Sequence, residues 1–304
     1  ADDVFADWAL ANLLQDAKIA DGRYSYKSYD PSSVAMDQTI SSCQTEWNSS
    51  TVHQYGTDYI PLTCSSDYTI EFSGPPTVGV LAIDAHSGNY AFWSNKGDES
   101  DMRLTRSFDF SQVSGPIEMR YFLWHDLEVD YDYAYLEVSL DDGKTWQILE
   151  TPTCTTEDPS GNSFGCGYNG DTRKWIEEKV DLSQFAGKQV LLRFEYVTDA
   201  AVNGEGLMLD DISIPAINYF SDFESDDGGW QAEGFVRIQN LLPQTYRVSL
   251  VQKSNPTTVQ TYTVAAGETL SIPVSGNQGT ATLIISGTTR ATRQLARYQF
   301  RLVP

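Results

Sequence analysis

The sequence predicts an all-β protein: a two-sheet jelly roll with an N-terminal helix, followed by a small β-sandwich of immunoglobulin or fibronectin type. Three observations carry this. Short runs of alternating apolar and polar residues recur along most of the chain, separated by Gly, Pro, Asn and Asp, and after the first residues no helical period intervenes. The charge shifts abruptly near residue 225: of the 42 acids and 20 bases, only Glu233 and Glu268 lie beyond residue 230, against seven Lys and Arg. The stretch 124–146 joins two strand-like runs through an acidic loop, then turns back through Asp141-Asp142-Gly143-Lys144, where Gly143 is available for a positive φ.

The first segment, 1–64, reads as a helix and an irregular stretch. Val4, Phe5, Trp8, Leu13 and Leu14 form an apolar stripe over 3–18, Asp2 or Asp3 can cap its start, and Asp21-Gly22 stops it. The stripe needs a partner, either the following β domain or a domain upstream. Residues 30–61 are polar and turn-rich, and Asn48-Ser49-Ser50 has the form of a glycosylation acceptor, which matters only in a eukaryotic secretory pathway. The jelly roll is expected over 65–216, with strands at 68–72, 78–83, 89–93, 102–110, 117–124, 133–140, 146–149, 175–182, 189–197 and 207–214, and with 151–174 as a loop insertion. Ala134, Leu136, Val138 and Leu140 alternate with Tyr133, Tyr135, Glu137 and Ser139, the pattern of a half-buried strand. The small sandwich is expected over 225–304, with strands at 230–238, 246–253, 258–264, 269–274, 281–286 and 296–303. Its basic tail (Arg290, Arg293, Arg297 and Arg301) either clamps an acidic neighbour or is a solvated edge.

Net charge is −22, which argues against nucleic acid and anionic membrane surfaces as partners, and no apolar run is long enough to span a membrane. Cys43, Cys64, Cys154 and Cys166 form two locally spaced pairs without metal-site spacing, so disulfides Cys43–Cys64 and Cys154–Cys166 are expected in an extracellular protein. The first residues are not a signal peptide, so either a leader was removed or the chain is a piece of something longer.

Between Asp126 and Asp142 stand seven acids and no Lys or Arg. Such a loop repels itself unless a cation occupies it, and calcium, with six to eight hard oxygen ligands, is the first candidate. The expected ligands are Asp98, Asp101, Asp126, Glu128 and Asp211; the alternative for Asp210 and Asp211 is that they cap loops by accepting backbone N–H groups. Trp124, Tyr131, Tyr133 and Tyr135 offer a platform on which a sugar could stack, set against the commoner fate of Trp as sandwich core. Catalytic constellations are missing: no His-Glu-x-x-His, no Gly-x-Ser-x-Gly, and three scattered histidines, His53, His86 and His125. Paired carboxylates of glycosidase type cannot be placed from sequence.

Asp-Trp-Ala-Leu-Ala-Asn-Leu-Leu (7–14), Asp-Gly-Arg-Tyr (21–24), His-Ser-Gly-Asn-Tyr-Ala-Phe-Trp-Ser-Asn-Lys-Gly-Asp (86–98), Trp-His-Asp-Leu-Glu-Val-Asp-Tyr-Asp-Tyr-Ala-Tyr (124–135) and Leu-Asp-Asp-Ile-Ser-Ile (209–214) resemble the region downstream of the catalytic domain in immune inhibitor A-type secreted metallopeptidases. The resemblance covers nearly the whole chain, more weakly over its last 75 residues. It implies a carbohydrate-binding or MAM-like jelly roll with structural calcium, next to a zinc peptidase domain that lies upstream or has been lost. Three functions are then expected in turn: a non-catalytic accessory region that supports the peptidase or holds its glycan or protein substrate, a stand-alone carbohydrate or cell-surface binding module, or a structural extracellular protein of a surface layer or fibre.

Overall fold

The computed structural model describes residues 2–41, 43, 45–276 and 279–304. It is built almost wholly of antiparallel strands in two compact units, one of residues 83–240 and the other of residues 1–82 together with 241–304. The first unit is therefore inserted into the second, a different division from the sequential 65–216 and 225–304 expected above. The strand Tyr68–Ser73 shows why: it pairs with Thr269–Val274 on one side and Ala296–Val303 on the other, so it completes a sheet with the C-terminal strands. Nothing local in its sequence encodes a partner some 200 residues away.

Unit 83–240 is a sandwich of two sheets. One runs Ile176–Asp181, Glu118–Asp126, Gly206–Ile214, Tyr90–Trp93 and Val236–Gln239, with Tyr219–Ser221 added beside Gly206–Ile214; the other runs Gln231–Glu233, Asp101–Asp109, Gln189–Val197, Tyr133–Ser139 and Gln147–Ile148. Period-two alternation supplies the core between them: Leu104, Phe108, Met119, Tyr121, Leu123, Leu136, Leu192, Phe194 and Leu209 are all buried. Tyr133–Ser139 departs from the half-buried expectation, since all seven of its residues are buried. Its second face lies under the 151–174 segment, which is closed by the disulfide Cys154–Cys166. Tyr133 donates its hydroxyl to the Glu157 carbonyl at 3.1 Å, and the Tyr135 hydroxyl accepts the Phe164 N–H at 2.9 Å. Gly167 is required here, because a Cβ would stand 2.7 Å from the Tyr135 ring.

The other unit is a second two-sheet sandwich, Thr258–Val264, Tyr246–Lys253, Thr280–Gly287 and Asp58–Leu62 facing Asn48–Val52, Ala296–Val303, Tyr68–Ser73 and Thr269–Val274. Two of these strands fall in the stretch read as irregular. Asn48–Val52 is a polar edge strand burying only Val52, and Asp58–Leu62 contains Pro61, so neither shows a clean apolar alternation. The reverse error occurs at 78–83, where only Thr77–Val78 pairs. Cys43 and Cys64 are joined as expected, with Cα atoms 5.3 Å apart.

The helix spans Asp2–Leu14 and packs on the outer face of its own sandwich, against Tyr59, Val251 and Ile284. Its buried face is Ala6, Ala9, Leu10 and Ala11, while Val4 and Trp8 of the expected stripe stay exposed. Small alanines let the helix axis approach the sheet, and the Ala9 carbonyl accepts the Tyr59 hydroxyl at 2.9 Å. Two of the tail arginines are neutralised within this unit, Arg290 by Asp2 and Arg301 by Glu71. Among the described residues, no helix is long and apolar enough to cross a membrane.

Candidate metal centre

The strand Gln189–Val197 is the middle of its sheet at this end, with Val197 opposite Tyr133 on one neighbour and Asp101 on the other. The chain leaving it at Thr198-Asp199 therefore passes beside Asp132, which precedes Tyr133. The Asp199 N–H donates to Asp132 Oδ1 at 3.0 Å, and the Asp199 carbonyl accepts the Glu99 N–H at 2.6 Å. Residues 127–132 are pinned by Asn169, whose side-chain amide donates to the Glu128 carbonyl at 3.2 Å and the Asp132 carbonyl at 2.9 Å. Asn169 Oδ1 accepts the N–H of Asp130, a residue at φ 69°. These fixed backbones converge carboxylate oxygens of Glu128, Asp132 and Asp199 to within 4.8 Å of one another.

The electrostatics of this triad are unfavourable as it stands. Asp132 is fully buried, and burial pushes its carboxyl up to about 6; the Asp199 N–H and the Tyr196 hydroxyl oppose the shift, and the negative charges of Glu128 and Asp199 add to it. Desolvation, then Asp199 and Asp98, push Glu128 up as well. Glu128 Oε2 is a buried oxygen with no hydrogen-bond partner. None of the three acids forms an ion pair with a described Lys or Arg. A calcium ion fits this arrangement: opposite ligands at about 2.4 Å from one ion lie about 4.8 Å apart, all three donors are hard oxygens, and the unpartnered Glu128 oxygen would gain its bond. Asn169 and Tyr196 would then act as the outer shell that orients the ligating groups.

Of the expected ligands, only Glu128 lies in the triad. Asp98 and Asp126 border it: Asp98 is close enough to raise Glu128, Asp98 Oδ1 accepts the Asn203 amide at 2.6 Å, and Asp126 Oδ2 accepts the Glu205 N–H at 3.1 Å. Asp101 is bound by Arg103 instead. Asp211 lies at a different corner, where one oxygen meets His86 Nδ1 at 2.6 Å and the other accepts the Ser87 hydroxyl at 2.8 Å. Asp210 beside it is fully buried and accepts N–H groups of Ser87 and Asp211 at 3.1 and 2.8 Å. Asp210 thus accepts backbone N–H groups, as the alternative named above has it, whereas Asp211 is held by the side chains of His86 and Ser87. Asp199 was missed because a single acid after a strand carries no signal until the strand order places it next to Asp132.

The aromatic platform does not assemble. Tyr133 and Tyr135 lie under the disulfide-closed loop and Trp124 is buried in its sheet, which leaves Tyr131, 46% exposed, as the accessible ring of the four. The histidines are likewise dispersed: His125 is buried with Nδ1 against the Gly170 carbonyl at 2.7 Å, and His86 stacks on Phe122 with ring centres 3.4 Å apart.

The family model described as "Immune inhibitor A-like, MAM domain" matches residues 71–240, more than half of the chain. This chain belongs to the immune inhibitor A-like family. The matched MAM domain contains the whole inserted sandwich and begins inside the strand Tyr68–Ser73 of the other unit. Among curated relatives, the pre-pro-metalloprotease PrtV of Vibrio cholerae is 32% identical over 46% of this chain and 14% of its own length. Immune inhibitor A of Bacillus thuringiensis is 30% identical over 53% of this chain and 23% of its own. Bacillopeptidase F of Bacillus subtilis is 28% identical over 41% of this chain and 7% of its own. The matched part is thus a minor fraction of each relative.

Proposed function

We propose that this chain is a non-catalytic accessory region of a secreted metallopeptidase-like protein, in which calcium held by Glu128, Asp132 and Asp199 stiffens one end of the MAM sandwich. The observation that carries the reading is the MAM match over 71–240 together with the carboxylate triad, three hard-oxygen donors within 4.8 Å of one another with a buried Glu128 oxygen unpartnered. Two relatives are named as a metalloprotease and as immune inhibitor A, and the region they share with this chain is a small part of each. A peptidase domain adjoining this region in the whole protein, and secretion, follow from the same likeness and from the two disulfides. In this reading calcium is structural: a filled site turns three mutually repelling acids into the tie between loops 127–132 and 198–203.

The test is an activity assay on purified chain with casein, with and without zinc. No hydrolysis is expected under either condition, because His-Glu-x-x-His is missing from the sequence and His86 and His125 are each engaged elsewhere. Zinc-dependent cleavage that disappears in His125→Ala would overturn the reading.

A further inference from the structure

The unit of residues 1–82 and 241–304 carries a groove that the accessory role leaves unused. It has a volume of about 570 Å³, within the usual range of small-ligand sites, and lies on the outward face of the sheet formed by Asn48–Val52, Ala296–Val303 and Tyr68–Ser73. The register arranges its residues in rows across the strands. Ser49, Gln299 and Ser73 form one row, and Thr51 and Arg297 form the next. Beyond Ser73 the chain turns away at Gly74, which opens the depression beside Arg297; a Cβ at Gly74 would overlap the Tyr246 hydroxyl, and that hydroxyl donates to the Arg297 carbonyl and fixes the backbone there. On the other side of the hydroxyl row stands Trp47, 41% exposed, with the Arg301 guanidinium 4.6 Å from its ring centre.

The two arginines of this face differ in a way that points to a ligand. Arg301 is paired with Glu71 at 2.6 Å. Arg297 is exposed, and no carboxylate of the described residues lies within ion-pair distance of it, in a chain of net charge −22. A lone planar guanidinium suits one carboxylate bidentately. Hydroxyl side chains flank it, Thr51 in its own row and Ser49 in the next, and each can both donate to and accept from the hydroxyls of a sugar. From this we infer that the groove binds an acidic sugar, a uronic acid unit within an oligosaccharide, with its carboxylate on Arg297 and its hydroxyls on Ser49 and Thr51 and on the remaining bonding capacity of the Gln299–Ser73 pair, in which the Gln299 amide donates to the Ser73 hydroxyl at 3.0 Å. The inference is independent of the calcium site and of the accessory role.

The test is calorimetric titration of the full chain with oligogalacturonate and with its methyl ester, which has the same rings without the charge. Saturable binding of the acid is expected, with the ester and the Arg297→Gln variant each weaker by at least about tenfold, as loss of a charge-assisted pair implies. Thr51→Ala should weaken binding by a few-fold while the melting temperature of both variants stays at the wild-type value. Equal binding of acid and ester, unchanged affinity in Arg297→Gln, or no saturable binding would overturn the inference. Inorganic sulfate matching the oligosaccharide in affinity would overturn the assignment to a sugar.

Discussion

Two acidic corners of the MAM sandwich, read as one site in the sequence, handle buried charge in opposite ways. At Asp210 and Asp211 the protein supplies the partners itself: backbone N–H groups, a serine hydroxyl and His86 use up the carboxylate oxygens. At Glu128, Asp132 and Asp199 the backbone brings three carboxylates together and leaves a buried Glu128 oxygen without a partner. At the first corner both acids are engaged by donors, although burial still pushes Asp210 up to about 7, and at the second a buried acceptor is left unmatched. Acid density in the sequence does not separate them; the count of available N–H and O–H donors does. Glu137 shows a third solution. It is buried among Glu195, Arg193 and Asp101, and burial first, then Glu195, push its carboxyl up to about 8, so a proton neutralises it.

The comparison can be broken most severely at the self-satisfied corner. Asp210→Ala leaves two N–H groups without their acceptor and should destabilise the MAM unit by about 3 kcal/mol, equally in EDTA and in calcium. Chemical denaturation in both buffers checks this, and a calcium-dependent loss would place Asp210 in the metal centre. Removing the bridge that covers Tyr133 and Tyr135, as Cys154→Ser with Cys166→Ser, should cost roughly 3 kcal/mol through the shorter closed loop of the unfolded chain. It should also raise the accessibility of Tyr133 and Tyr135 to tyrosine-modifying reagents.

Glu137 sharpens the contrast through pH. Its folded pKa of about 8 stands above the unfolded value of about 4.3, so its contribution is fully present below about pH 4.3 and is lost as pH rises through 8. Glu137→Gln should therefore stabilise the protein at pH 9 by at least about 1 kcal/mol relative to wild type, and much less at pH 5. Equal effects at both pH values would mean that Glu137 is ionised in the fold. The smallest effect is expected in the other unit, where Arg301→Ala removes a surface pair with Glu71 and should cost less than about 1 kcal/mol, diminishing with salt.

Features with local causes were legible in the sequence. Alternation in 101–109, 189–197 and 246–253 and short cysteine spacing lead directly to strands and bridges, because both depend on residues close in the chain. Non-local features were not. The interruption of one sandwich by another depends on Tyr68–Ser73 finding strands near the C-terminus, and Asp199 becomes a ligand candidate only through the register that sets it beside Asp132. Tyr133 and Tyr135 misled for a related reason: aromatic residues alternating with apolar ones look like an exposed face until a distant loop covers them.

The central claim is that calcium belongs to Glu128, Asp132 and Asp199, and a thermal melt in EDTA and then in millimolar calcium tests it most directly. Occupancy at about 100 times the dissociation constant adds about 2.7 kcal/mol to the folded state, or roughly 5 to 10 °C for a domain of this size. The account predicts that rise in the wild type and in Asp211→Asn, its loss in Asp199→Asn, and little response to magnesium, which demands a smaller octahedral site. Coincident wild-type curves, or a calcium shift that survives Asp199→Asn and disappears in Asp211→Asn, would contradict it.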